Sequence, residues 1–377
     1  MTMSGDRIRG AFAGLAAGDA AGWPAARHRA ALHAPWSRRL HRELDTFAEE
    51  HGVTTLPVPF ALNQPVAPLR VGPSDDAEWL AWTALTIDRP RAEAFRDLID
   101  PPPETAGEHG ASGSPPGAGG ERAISGPPPG AAGERVASGP ASGAGKARPG
   151  GPVRARISVA TALDNLAKGV EPPASGHDNP HFFDDAAAVR AVAYGVMGRD
   201  PTPDAEVTNA GNGLFGARAM AAAVAEAVAS GSAAGAVEAA LAVLPCDTAI
   251  GHNARLAVKA ARAAGDPFAA VPALDAALLD HVYSYGVGAA QTVPVALALA
   301  EVSGGDLSRA VPAAACLAAL ADSAPALTGA LTGACGGLGA IPEGWIAPAR
   351  TLAGCCLPDL AGLDLIELAN DVTEGYA

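Results

Sequence analysis

Alanine, leucine and valine recur along this chain at three- and four-residue steps, the spacing that lines one face of an α-helix. The pattern predicts helices over residues 7–17, 77–87, 159–166, 186–197, 214–229, 234–243, 254–264, 289–302, 307–320 and 326–335. In and just beyond the last of these, Ala326, Gly329, Ala330, Gly333 and Ala334 form a small-residue face that lets another backbone approach closely. Aromatic and β-branched residues are sparse beside alanine, so the predicted fold class is all-α, a compact multi-helix single domain.

The pattern stops at residue 101. From there to 153 the chain is Pro, Gly, Ala and Ser, with "GEHGASGSPPGAG", "GERAISGPPPGAA" and "GERVASGPASGAG" starting at Gly107, Gly120 and Gly133. These copies carry no apolar face to stack, and such a composition cannot bury enough surface to offset its ordering entropy. Residues 101–153 are predicted to be a disordered insertion in one discontinuous domain made of 1–100 and 154–377.

Composition narrows the function. With 49% hydrophobic residues in 377, the chain can build a core. A net charge of −14 without a Lys/Arg stripe argues against a broad nucleic-acid face and suits a cation. No strongly apolar stretch reaches the roughly 18 residues of a membrane span. The N-terminal "GAFAGLAAGDAAG" looks like a short secretory core, but Asp19 and its helical context assign it to the fold. The five cysteines show no CxxC pairing and read as small core residues of a reducing compartment. A cytoplasmic protein is expected.

Two polar islands carry candidate chemistry. In "SDDAEW", Asp75 and Glu78 have capping-box spacing, and acids are favoured in a first helical turn. In "ADSAPALTG", Asp322 or Ser323 can cap a helix with Pro325 in its first turn. A capping carboxylate can also present its second oxygen to a hard cation. Ser74, Asp75, Asp76, Asp322 and Ser323 together make an all-oxygen set of the kind Mg²⁺ takes, and no His/Cys spacing suggests zinc.

Four segments in order resemble one family, the ADP-ribosylglycohydrolases, dinitrogenase reductase-activating glycohydrolases among them. "GAFAGLAAGDAAG" (residues 10–22) resembles its opening GDA-x-G helix and turn, and "SDDA" (74–77) its T-D-D-T metal motif. "FDDAAAVRAVAYG" (183–195) resembles its G-N-G substrate loop and helix, and "LADSAPALTGALTGACGGLGAIPEGW" (320–345) its D-T-D-T stretch with the closing I-P-x-x-W. The resemblance implies an all-helical, Mg²⁺-dependent hydrolase of the glycosidic bond in a small or protein-linked ADP-ribose-like substrate. Asp75 and Asp76 would be catalytic, orienting water, and Ser74, Asp75, Asp76, Asp322 and Ser323 would hold the metal.

The chain departs from that pattern. Leu320 stands at the first Asp of D-T-D-T and removes a ligand, which leaves one Mg²⁺ rather than two, or no stable metal; Ala26 stands where a loop glutamate is usual. In "SGHDNPHFFDDAA", Asp184 and Asp185 replace Gly-Asn and would oppose a pyrophosphate, while His177, Asn179 and His181 could bind a sugar or base or organise a turn around Pro180. His177, Asn179, Asp184 and Asp185 are the expected substrate residues. Thr208 and Asn209 read as caps of the next helix, and Tyr283 and Tyr285 as amphipathic core. A non-catalytic member and a hydrolase of another nucleoside or glycoside are the alternatives.

Overall fold

A computed structural model of the protein describes residues 3–32, 72–99, 153–279 and 286–375, without the side chains of 3, 23–32 and 375. The repeat segment 101–153, apart from Val153, lies outside the described residues, as do Tyr283, Tyr285 and the side chain of Ala26. Helices dominate, and among the described residues there are no strands, only the isolated bridges Asp184 with Gly288 and Thr351 with Asp364. In chain order they are α1 (Met3–Leu32), α2 (Asp75–Thr86), α3 (Arg91–Arg96), α4 (Ile157–Ala167), α5 (Ala174–His177), α6 (Ala186–Val196), α7 (Thr202–Thr208) and α8 (Asn212–Ser230). Then follow α9 (Ala233–Val243), α10 (Ala249–Ala264), α11 (Pro267–Leu278), α12 (Ala289–Val302), α13 (Leu307–Ala315), α14 (Ala324–Gly336), α15 (Glu343–Ala349) and α16 (Leu365–Gly375).

Each of the ten expected helices is met by an observed one. The expected helix over 307–320 breaks after Ala315, where Leu317 leaves helical geometry with ψ 71°, and resumes as a single 3₁₀ turn. The helix α11 was not expected because Pro267 and Pro272 interrupt its pattern; Pro267 sits in the first turn, where its missing N–H costs nothing, and Asp266 caps it through Phe268 and Ala269 N–H.

The core is built on close approach of small residues. Helices α6 and α14 are buried over nearly their whole length, so neither shows a strong polar face. The small-residue face expected on α14 meets a matching one on α1. A Cβ placed on Gly14 would lie 2.1 Å from the carbonyl oxygen of Gly329, and one on Gly333 would lie 2.0 Å from that of Gly10. Only glycine allows this backbone-to-backbone contact, which fixes α1, with buried Phe12 and Leu15, against the centre of the fold. The segment resembling a secretory core is thus a packed helix.

The helix Asn212–Ser230 differs from the expectation that no segment reaches membrane-spanning length and hydropathy: it does, although 56% of that window is buried inside the fold. The cysteines differ as well. All five are free thiols, but only Cys335 is buried, while Cys246 and Cys316 are exposed.

Candidate active site

Four helices begin at one place: α2, α4, α6 and α14 start at Asp75, Ile157, Ala186 and Ala324. Helix N-termini carry partial positive charge and unpaired N–H groups, so their convergence draws acidic side chains. Asp75 and Asp76 open α2, Asp185 is the N-cap of α6 and Ser323 the N-cap of α14.

The capping expected of Asp75 is performed by another residue. Asp19, buried on α1, accepts the N–H of Ser74 at 2.7 Å and of Ala77 at 3.0 Å, and takes the Ser74 hydroxyl in a short hydrogen bond. It satisfies the first turn of α2 from across the fold. Burial, with the Asp75 charge nearby, pushes the Asp19 carboxyl up to about 7 against those hydrogen bonds. Glu78 is not part of a capping box either. Fully buried, it accepts the N–H groups of Cys355 at 2.6 Å and of Cys356 and Leu357 at 2.8 Å, which anchors the loop before α16.

Freed from capping, Asp75 and Asp76 turn to a residue that sequence reasoning missed. Arg156, the N-cap of α4, donates from Nε to Asp75 at 3.0 Å, from Nη2 to Asp76 at 2.5 Å and to the Ser323 hydroxyl at 2.8 Å, and from Nη1 to Asp185 in a short ion pair. Asp76 and Asp185 are fully buried, whereas the Asp75 side chain keeps 21% of its exposure. Asp322, half-buried, is near enough for its charge to act on both Arg156 and Asp185. Burial pushes the Asp185 carboxyl up to about 7, the Arg156 charge pulls it down, and Asp184 beside it pushes it up again. Asp76 is likewise raised, by burial first, against the pull of Arg156.

The expected metal set therefore comes together, but around a guanidinium. Ser74 is spent on Asp19, and Asp75, Asp76 and Ser323 all face Arg156. Mg²⁺ needs a near-octahedral shell of oxygens at about 2.1 Å, and these oxygens are already organised by a cation at their centre. The arrangement as it stands does not fit Mg²⁺. Leu320 is 1% exposed and belongs to the hydrophobic core. Among the described residues one other group has metal-binding spacing, Glu78 with Cys355 and Cys356, yet the Glu78 oxygens there already accept three N–H groups.

The four expected substrate residues separate. Asp185 joins the Arg156 cluster, while Asp184, fully buried, accepts Ala186 N–H at 3.1 Å and the Asn209 amide at 2.8 Å through Oδ1. Asn179 is used internally, its amide donating to the carbonyls of Ser158 at 2.6 Å and Thr208 at 3.0 Å and its oxygen accepting His181 N–H. His177 lines a cavity of about 460 Å³ with Glu171, Asp178, Glu206, Asn209 and Leu214. Three carboxylates on that wall disfavour a pyrophosphate there and suit a neutral or cationic group.

Thr208 and Asn209 do not cap α8, whose N-cap is Gly211. The Asn209 amide instead ties the carbonyls of Phe182 and Asp184 together, and Thr208 accepts from the buried Arg190 at 2.6 Å. Arg190 and Arg91 share Asp204, at 2.7 Å and 2.9 Å, in an ion triad behind the loop.

The family model for ADP-ribosylglycohydrolases matches residues 2–376. A solved structure described as an ADP-ribosylglycohydrolase-related protein complex shares the fold, with a TM-score of 0.51 at 16% identity, and the match covers 100% of both chains. A comparison with curated proteins found no match. With all of its ordered helices inside the matched span, the chain belongs to the ADP-ribosylglycohydrolase family.

Proposed function

We propose that this protein hydrolyses a glycosidic bond at the anomeric carbon of an ADP-ribose-like or related ribosyl substrate. Family membership supports the reaction class. The observation that carries the reading here is the convergence of Asp75, Asp76, Asp185 and Ser323 from three helix starts onto Arg156, with only Asp75 of the three paired acids reaching solvent.

Departure of the leaving group from an anomeric carbon builds positive charge on the sugar, and a net-negative cluster stabilises it. Arg156 holds one oxygen of Asp75, leaving its other oxygen, 3.3 Å from the Ser74 hydroxyl, to orient a water and take its proton. Asp76 and Asp185 position Arg156. The unpaired thiols suit a reducing, cytoplasmic setting.

The test is release of ADP-ribose from peptides ADP-ribosylated on arginine, serine or threonine, followed by chromatography with EDTA and with Mg²⁺. Turnover that falls about 100-fold in Asp75→Asn is expected. Absence of release from every substrate sinks the reading.

A second reading, a non-catalytic binding member of the family, is favoured by one observation: the carboxylates that would do chemistry are already paired with Arg156. ADP-ribose binding by calorimetry without turnover on any of the peptides would select it.

A further inference from the structure

We propose that Arg156 is the resident cation of the acidic cluster, a guanidinium built into the chain that takes the place of a divalent metal, so that this centre assembles and stays folded without one. All three guanidinium nitrogens are engaged, Nε with Asp75, Nη1 with Asp185 and Nη2 with both Asp76 and Ser323. Four of its five N–H donors thus go to four residues contributed by three helices. A planar fork can serve partners in several directions at once, which a lysine ammonium on a flexible stem cannot do with the same geometry.

The charge balance requires such a cation. Asp75, Asp76, Asp185 and Asp322 bring four carboxyl groups to the place where helices α2, α6 and α14 begin, and among the described residues Arg156 is the cation whose charge acts there. Its side chain is only 10% exposed, so it is not a surface arginine folded down for want of other contacts. A separate observation points to what would follow its loss. Asp76 Oδ2 is buried and has no hydrogen-bond partner, so that carboxylate keeps an oxygen free beside the guanidinium. Removing the side chain at 156 would leave a cavity walled by oxygens, the chemistry a hard divalent cation takes.

The inference holds under either reading of the function, because its readouts are metal binding and stability rather than turnover. Thermal unfolding of the full chain would be recorded in EDTA and in millimolar Mg²⁺ or Mn²⁺, with calorimetric titration of both metals. The wild-type protein is expected to give the same midpoint in all three conditions and no saturable heat. Arg156→Ala is expected to unfold several degrees lower in EDTA and to recover on adding Mg²⁺, Mn²⁺ or millimolar guanidinium, with Arg156→Lys recovering only part of the loss. Saturable binding of either metal to the wild-type protein, with a rise in its midpoint, would overturn the proposal. So would an Arg156→Ala protein as stable as the wild type, or one that is destabilised and indifferent to every added cation. Should that variant fail to fold, the wild-type metal titration decides alone.

Discussion

Asp19 on α1 caps a helix that starts at Asp75: its Oδ2 accepts both the Ser74 N–H at 2.7 Å and the Ala77 N–H at 3.0 Å. The bond holds α2, and with it the two acids of the cluster, to the N-terminal helix. Replacement of Asp19 by alanine leaves two buried N–H groups without an acceptor and the Ser74 hydroxyl with only its 3.3 Å contact to Asp75. The expected loss is about 2–4 kcal/mol, measured by urea unfolding, with Asp19→Asn losing less because one acceptor oxygen remains.

The backbone contact between α1 and α14 tolerates no side chain. An added methyl at Gly14 or Gly329 would lie 2.0–2.1 Å from a carbonyl oxygen of the facing helix. Gly329→Ala is expected to cost at least about 2 kcal/mol, since overpacking here must push two helices apart. A solvent-facing control, Gly344→Ala, meets no atom within 4 Å and should lie within about 0.5 kcal/mol of the wild type.

Asp204 gives a pH signature. Burial alone would raise its pKa, but Arg190 and Arg91 hold it below its ordinary value. A carboxyl whose pKa is lowered on folding contributes stability that is fully present above its unfolded value of 3.8 and is lost as pH falls through the lower folded value. Unfolding followed from pH 6 down to pH 2, pH values chosen as about two units on either side of that value, should show this loss. Asp204→Asn should flatten that limb and cost about 3–5 kcal/mol at neutral pH, because two buried guanidinium groups lose their partner.

Glu78 is the receptor for the loop that carries Cys355 and Cys356. In Glu78→Gln one acceptor oxygen becomes a donor facing a backbone N–H. A loss of about 2–3 kcal/mol is expected, together with faster labelling of both cysteines by a thiol reagent.

Much of the fold could be read from the chain because it rests on local signals. Helical spacing located ten of the helices but missed α11 and α16, which are longer than α13, and the three- and four-residue recurrence of small side chains on α14 announced a close-packed face before its partner was known. The candidate site was legible only as an inventory. Asp75, Asp76, Asp185 and Ser323 do meet, but the residue they meet around gives no local signal, since Arg156 stands at the start of an unremarkable helix and earns its importance from charges three other segments deliver. A capping box read from Asp75 and Glu78 failed for the same reason: Asp19 and the loop at Cys355 compete for those groups from outside the local window. Asn179 reads as a ligand-binding residue and Asn209 as a helix cap in the sequence, and both turn out to be cross-braces, because a loop between buried helices must satisfy its own carbonyls.

The seating of α1 against α14 also sets an order of events during synthesis. Helix α1 is synthesised well before α14, the helix its glycine face is made for, so at about 5–20 residues per second it waits tens of seconds for its counterpart. During that interval Phe12, Leu15 and the carboxylate of Asp19 have no native surroundings, which leaves α1 open to a nascent-chain chaperone. The acidic cluster, tied through Asp19 to that late docking, cannot settle until α14 has been made.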